Sequence, residues 1–120
     1  MNAATCVITI SRVYNEQGSK HGYRILVDRL WPRGITKEKL KLDRWFKEIA
    51  PSNELRKWYS HDPAKWNEFR TKYFSELDRN PLTAELLDIC IKNDVTFLYS
   101  SRVEDINNAT ALKQYVEEHT

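Results

Sequence analysis

The chain has 120 residues, of which 41% are hydrophobic and 30% charged, and its formal net charge is +2 at pH 7. This length fits a single domain, residues 1–120, and the composition excludes a chain too polar to build a core. No apolar run approaches the roughly 20 residues of a membrane span. The N-terminal residues also lack the apolar stretch of a secretory signal, so we expect a cytoplasmic protein.

Two strands are predicted in the first quarter of the chain. Residues Cys6–Tyr14 are rich in alternating and β-branched side chains, and Tyr23–Trp31 contain the continuous apolar run 25–27. The connection between them is too short for a helical crossover. We therefore expect these two strands to pair antiparallel.

Helices are predicted to fill most of the remaining chain, and Ser52 and Asp62 supply N-cap signals for two of them. A third apolar strand, Val95–Tyr99, follows a long helical connection, which favours a parallel return beside the second strand. The predicted fold class is α/β, with a small mixed sheet of about three strands (first pair antiparallel, second and third parallel) covered by four to five helices. The predicted helical segments are 44–49, 53–59, 63–79, 82–92 and 104–118.

Charged and polar residues follow the two buried strands. Because parallel strands end at the same edge of a sheet, we expect the residues after Val27 to meet those after Tyr99. Paired arginines bind phosphate bidentately, and a helix N-terminus after the third strand would add partial positive charge. The sequence therefore predicts an anion site, with the candidate residues Arg24, Arg29, Arg33, Ser100, Ser101 and Arg102.

Purely structural roles are open alternatives for the same residues. Arg29 would then form an ion pair with Asp28 or Asp62. Ser101 would only cap the following helix, and Arg102 would point into solvent.

Charge is unevenly distributed along the chain. Residues 20–47 carry nine Lys and Arg against three acids, a net of +6, and the remainder carries −4. A basic face favours an anionic partner such as DNA, RNA, a nucleotide or a phosphorylated metabolite. The alternative is that the lysines of Lys37–Lys41 form a solvated loop.

His61 is the best candidate for acid–base chemistry, because it lies in a loop before a capped helix and histidine is the side-chain type most often used for proton transfer. Asp28 is the second catalytic candidate. Asp28 and Asp62 together are candidate ligands for Mg²⁺ or Mn²⁺ bound beside a phosphate oxygen. The alternative for Asp62 is a helix cap alone. Cys6 and Cys90 are expected to be core thiols.

Four strings carry a resemblance to a known family: SRVY, GYRILVDRLWPRGI, LDRWFKEIAPSNELRKWY and FLYSSR. Together they resemble the bacterial domain-of-unknown-function family 488 (DUF488), in its YeaO-like branch, over about residues 11–117. VDRLWPRG (Val27–Gly34) is the most specific string. The family's third strand commonly reads LLYSAKD, where this chain has FLYSSRVED. The resemblance implies a small soluble bacterial α/β protein and transfers no catalytic residue.

Two functions follow as expectations. The first is a phosphate- and nucleic-acid-binding protein, with weak metal-dependent nuclease (phosphodiesterase) activity as its enzymatic form. Arg29, Arg33 and Arg102 would bind phosphate. The second is a non-enzymatic module that binds a small anion or another protein. The oligomeric state stays open between monomer and homodimer.

Overall fold

The computed structural model describes residues 6–15 and 22–120. Its described elements follow in the order β-β-α-β-α-α-α-β-α, and two short 3₁₀ turns, 47–49 and 63–65, precede helices. The strands are β1 (Ile8–Arg12), β2 (Tyr23–Leu26), β3 (Arg44–Trp45) and β4 (Val95–Tyr99). The helices are α1 (Lys37–Leu40), α2 (Asn53–Tyr59), α3 (Trp66–Arg79), α4 (Thr83–Lys92) and α5 (Asn108–His119).

The four described strands form one parallel sheet in the order β1-β4-β2-β3. The α/β class and the predicted parallel pairing of β2 with β4 are confirmed. The predicted antiparallel pairing of the first two strands is wrong, because β4 lies between them and runs parallel to both. All five residues of β4 are buried, and a strand this apolar is covered by neighbours on both edges. A short connection restricts the direction only of strands that are adjacent, and β1 and β2 are not.

The segment predicted as a helix over 44–49 is partly a strand. Arg44 and Trp45 pair with Ile25 and Leu26, and helical structure begins only at residue 47. The backbone N–H of Phe46 continues the pairing by donating to the Leu26 carbonyl at 2.9 Å. The open edge of β2 therefore decides the conformation here over the helical pattern of the sequence.

Helix starts agree with the capping signals in two places and differ in a third. Ser52 Oγ accepts a hydrogen bond from the Leu55 N–H at 3.1 Å, and Asp62 Oδ1 accepts one from the Ala64 N–H at 3.0 Å. The last helix begins at Asn108, four residues later than predicted. Asn107 is its cap, with Oδ1 accepting from the Thr110 N–H at 3.0 Å.

The sheet is covered on both faces. Ile25 and Phe97 point into the larger hydrophobic cluster, which contains the aromatic side chains of α3, whereas Leu26 and Leu98 point into a smaller cluster with Leu40. Because both faces are covered, polar side chains of the sheet reach solvent mainly at the ends of its strands. None of the helices in the described parts of the chain is long and apolar enough to cross a membrane.

Candidate anion-binding site

A pocket of about 530 Å³ lies at the carboxyl edge of the sheet. Its walls come from the residues that follow β1, β2 and β4, from the region of α2, and from the start of α5. Volumes of roughly 300–1,000 Å³ are typical of small-molecule sites. The position agrees with the rule that open α/β sheets bind ligands beyond the carboxyl ends of their strands.

Arginine dominates the charge of this pocket. Within the described ranges 6–15 and 22–120, Asp28 is the only acidic side chain lining it, and no arginine of the pocket lies within 4.0 Å of a carboxylate oxygen. Uncompensated guanidinium groups at one site repel each other and attract anions. The lining arginines are Arg12, Arg29, Arg33, Arg56 and Arg102.

Arg12 joins the end of β1 to the loop after β4. Its Nε donates to the carbonyl of Ser101 at 2.8 Å and to that of Ser100 at 3.3 Å. Its guanidinium also lies over the ring of Tyr14, 4.7 Å from the centroid. The Tyr14 hydroxyl donates to the Arg33 carbonyl at 2.8 Å. These contacts bring the segment after β2 to the same wall.

Arg29 is half-buried and has a structural partner, but not the one considered from sequence. Its Nη2 donates to the carbonyls of Ala50 at 3.1 Å and Pro51 at 3.3 Å, at the approach to α2. The ion pair with Asp28 or Asp62 is not formed. Arg33 and Arg102 are exposed, and in the part of the chain that the structure describes their guanidinium groups have no hydrogen-bond partner.

Asp28 connects three elements at the base of the pocket. Its Oδ2 accepts from the backbone N–H of Ser100 at 2.9 Å and from the hydroxyl of Ser100 at 2.8 Å. Its Oδ1 accepts from Asn108 Nδ2 at 3.0 Å. Both carboxylate oxygens are therefore engaged in holding the ends of β2 and β4 against the start of α5.

The candidate metal pair is not brought together in the pocket. Asp62 caps the turn before α3 and is not among the lining residues, whereas Asp28 is. Among residues 6–15 and 22–120 no group of three or more His, Cys, Asp or Glu side chains is placed to hold a metal ion.

The loop 100–102 lines the pocket but does not lead directly into a helix. Ser101 Oγ accepts from the Val103 N–H at 3.1 Å, which closes a turn, and α5 begins only after Asn107. Asn107 and Asn108 themselves line the pocket. The N-terminus of α5 therefore faces the site, although the intervening residues separate it from Arg102.

His61 lies at the α2 side of the pocket. It is exposed and has φ 57°, directly after Ser60 with φ 45°. Two consecutive non-glycine residues in the left-handed region are costly and persist only where the surrounding structure holds them. The ring of Tyr59, 6.2 Å from that of His61, is buried, and its hydroxyl donates to the Ile106 carbonyl at 3.0 Å. Burial raises the pKa of Tyr59.

Arg24 lies away from the pocket, although it was grouped with the anion site from sequence. It is 0% exposed and belongs to β2 itself. Its Nη2 donates to the Leu40 carbonyl at 2.9 Å and its Nε to the Lys41 carbonyl at 3.2 Å. The other predicted anion-site residues and His61 line the pocket together with Asp28.

Sequence reasoning missed several lining residues. Arg12 is the last residue of β1 and Tyr14 follows it by two residues, and the antiparallel assignment of that strand placed both at the opposite edge. A parallel assignment would have brought them to the site by the rule used for β2 and β4. Arg56 lies on α2, and its helical position gave no signal. Asn107 and Asn108 were placed inside a helix predicted to begin too early.

The fold and the site together define a small α/β protein with an arginine-lined pocket at the carboxyl edge of a parallel sheet. The chain belongs to the DUF488 family: the family model described as "Inactive DUF488-N3 subclade" matches residues 7–120. The resemblance seen in the sequence strings is thereby confirmed.

Similar proteins occur in several bacteria. "Uncharacterized protein YeaO" of Escherichia coli (strain K12) is 44% identical over 110 residues, which cover 91% of this chain and 96% of that protein. "Uncharacterized protein Rv3073c" of Mycobacterium tuberculosis (strain ATCC 25618 / H37Rv) is 37% identical over 107 residues, or 89% of this chain and 91% of the relative. "Uncharacterized protein Mb3100c" of Mycobacterium bovis matches to the same extent. No solved structure matches the chain.

Proposed function

We propose that this protein binds a phosphorylated ligand in the arginine-lined pocket and does so without cleaving it. The observation that carries the proposal is the group of five arginines without carboxylate partners within ion-pair distance in the described chain. Placing several cations around one cavity costs free energy unless an anion offsets their repulsion. A ligand with a phosphate group supplies that anion.

The kind of cation favours phosphate over other anions. In the described chain, the five positively charged side chains that line the pocket are all arginines. Their planar guanidinium groups donate two parallel hydrogen bonds to phosphate oxygens. Arg33 and Arg102 are exposed, and Arg12 uses only its Nε for the bonds to Ser100 and Ser101. The outer nitrogens of these three side chains are the groups that would meet the phosphate.

Binding without cleavage is favoured by the state of Asp28. Donors of Ser100 and Asn108 occupy three of the roughly four acceptor positions of the Asp28 carboxylate, which leaves little capacity to take up a proton or to bind a metal ion. The description of the matching subclade as inactive agrees with this proposal. The metal-dependent nuclease expected from sequence remains the competing outcome, because His61 lines the same pocket.

The test measures binding of labelled single- and double-stranded DNA and RNA, of inorganic phosphate and of nucleotides, at about 50 and 200 mM salt. The protein is compared with Arg33→Met/Arg102→Met. The matched control is Arg79→Met/Lys92→Met, which removes two exposed positive charges on α3 and α4. We expect at least tenfold weaker binding in the first variant, a change below twofold in the control, and affinity that falls with salt.

Two results would overturn the proposal. The first is absence of binding to every phosphorylated ligand at the lower salt concentration, or equal loss in both variants. The second is cleavage of DNA or RNA that requires Mg²⁺ or Mn²⁺, stops with EDTA and is abolished by His61→Ala. That second result would establish the nuclease in place of the binding protein.

A further inference from the structure

The pocket also contains apolar and aromatic surface beside its arginines. We infer that its ligand carries a planar aromatic group next to the phosphate, so that it belongs to the class of nucleoside monophosphates and not to inorganic phosphate or sugar phosphates. This inference rests on the proposed function and narrows it to one chemical class.

The pocket is larger than a phosphate group alone requires. Inorganic phosphate has five heavy atoms, whereas about 530 Å³ is a volume within the range of drug-sized sites. A phosphate alone would contact the arginines and leave most of the cavity to water. A nucleoside monophosphate extends from the charged groups into the remaining space.

Tyr14 provides an aromatic surface that is held in place at the pocket. Its side chain is 37% exposed. The ring is fixed on one side by the Arg12 guanidinium, and its hydroxyl is tied to the Arg33 carbonyl. A ring that is ordered before binding loses little entropy when a base stacks on it.

The positions of these groups also match the ligand. The two residues that hold Tyr14 are themselves pocket arginines, so the stacking surface and the phosphate-binding groups are neighbours. A nucleoside monophosphate has a base and a phosphate joined by one sugar. Simultaneous contact with Tyr14 and with Arg12 or Arg33 is therefore what this ligand class would achieve.

An apolar wall formed by the residues after β2 also favours a ligand with an apolar part. Leu30 lines the pocket and is 64% exposed, between Arg29 and Trp31. Burial of exposed apolar surface by a ligand contributes roughly 25 cal/mol per Å². A hydrated anion without an apolar part gains nothing from this surface, whereas a base does.

The experiment compares four kinds of ligand by calorimetry: inorganic phosphate, ribose 5-phosphate, phenyl phosphate and the common nucleoside monophosphates. We expect phenyl phosphate and at least one nucleoside monophosphate to bind about 5- to 150-fold tighter than ribose 5-phosphate, the range for stacking on one aromatic side chain. Tyr14→Leu should reduce this ratio severalfold. Loss of its contacts to Arg12 and Arg33 would change the affinity for all four kinds of ligand alike and would leave the ratio unaffected. Tyr14→Phe keeps the ring and should keep most of the ratio.

Leu30→Ala serves as a second variant, because its side chain is exposed and its loss leaves the core intact. It should also weaken the aromatic ligands selectively. Equal affinities for ribose 5-phosphate and the aromatic phosphates, or a ratio that neither variant changes, would overturn this inference and leave the proposed function standing. Absence of binding by all four kinds of ligand would overturn this inference, and it would overturn the proposed function as well if DNA and RNA also failed to bind.

Discussion

Arginines at the two ends of the sheet have opposite environments. Arg24, near the start of β2, is fully buried, whereas Arg33 and Arg102, which follow β2 and β4, are exposed at the pocket. The guanidinium of Arg24 donates to the carbonyls of Leu40 and Lys41, at the C-terminal end of α1. Helix ends leave carbonyls without intrahelical partners, and a cation there satisfies them. Arg24 therefore stabilises the fold, while the pocket arginines are available for a ligand.

Position along a parallel strand therefore decides the role of a charged residue in this sheet. A charge inside a strand must find its partners in the protein, because the sheet is covered on both faces. A charge after the carboxyl end emerges where the faces open. Substituting arginines at each end should therefore separate stability from binding.

The largest expected effect is that of Arg24→Met. Two carbonyls near α1 would lose their donors, and an unsatisfied buried polar group costs roughly 1–3 kcal/mol, so we expect a loss of roughly 3–5 kcal/mol in the free energy of unfolding. Urea denaturation measures this. Arg33→Met is the matched control and should stay within about 0.5 kcal/mol of the unsubstituted protein. Equal stability of both variants would contradict the conclusion that Arg24 stabilises the fold and Arg33 does not.

Alkaline pH should produce the next largest effect, again on the core and not on the pocket. Burial raises the pKa of the Cys90 thiol to about 12, and burial together with the hydrogen bond to Asp78 raises the pKa of Tyr115 to about 12. The folded state therefore favours the protonated forms. Their contribution is fully present below the unfolded pKa values, near pH 9 for the thiol and 10 for the phenol, and is lost as pH rises toward 12.

The measurement is urea denaturation in reductant from pH 8 to pH 11. Each group should remove at most about 1.4 kcal/mol per pH unit within its window. Cys90→Val should flatten the decline between pH 9 and 10, where the thiol is the first of the two to titrate. A decline that Cys90→Val leaves unchanged would show that the thiol is not responsible.

Asp28→Asn should have a smaller effect, of about 1–2 kcal/mol on unfolding. The substituted amide has one acceptor oxygen where the carboxylate has two, and its N–H₂ group would face donors of Ser100 or Asn108. The variant also removes the one negative charge of the pocket among the described residues. We therefore expect a lower stability with unchanged or tighter phosphate binding, measured by denaturation and calorimetry. Lost binding in a variant of normal stability would instead assign Asp28 to the ligand.

Much of the fold followed from sequence because local signals agreed with tertiary structure. The bounds of α2 and β4 match their predictions, since a capping serine fixes the first and a continuous apolar run the second. β3 did not follow, because its pairing depends on the open edge of β2 and not on its own residues. The order of the strands was also not predictable, since nothing in β1 encodes that β4 would separate it from β2.

The candidate site was predictable to the same degree as the sheet. Residues after β2 and β4 were placed correctly because both strands were recognised as parallel. Arg12 was missed because β1 was predicted to run antiparallel to β2. Arg24 was included because its sequence neighbours are site residues. Whether an arginine points to the core or lies beyond the strand end depends on where the strand stops. β2 ends at Leu26, five residues before the predicted Trp31.

The smallest effect is expected for the lysines of α1. Lys37 and Lys39 are exposed and belong to the basic segment, but α1 lies beside Arg24 and neither lysine lines the pocket. Salt at about 0.1 M screens exposed charges beyond roughly 10 Å. Lys37→Ala/Lys39→Ala should therefore change phosphate and nucleic-acid binding by less than twofold and stability by less than about 0.5 kcal/mol. A tenfold loss for DNA or RNA with unchanged binding of mononucleotides would show that a basic face extends from the pocket to α1, and it would favour a polynucleotide over a single nucleotide as the ligand.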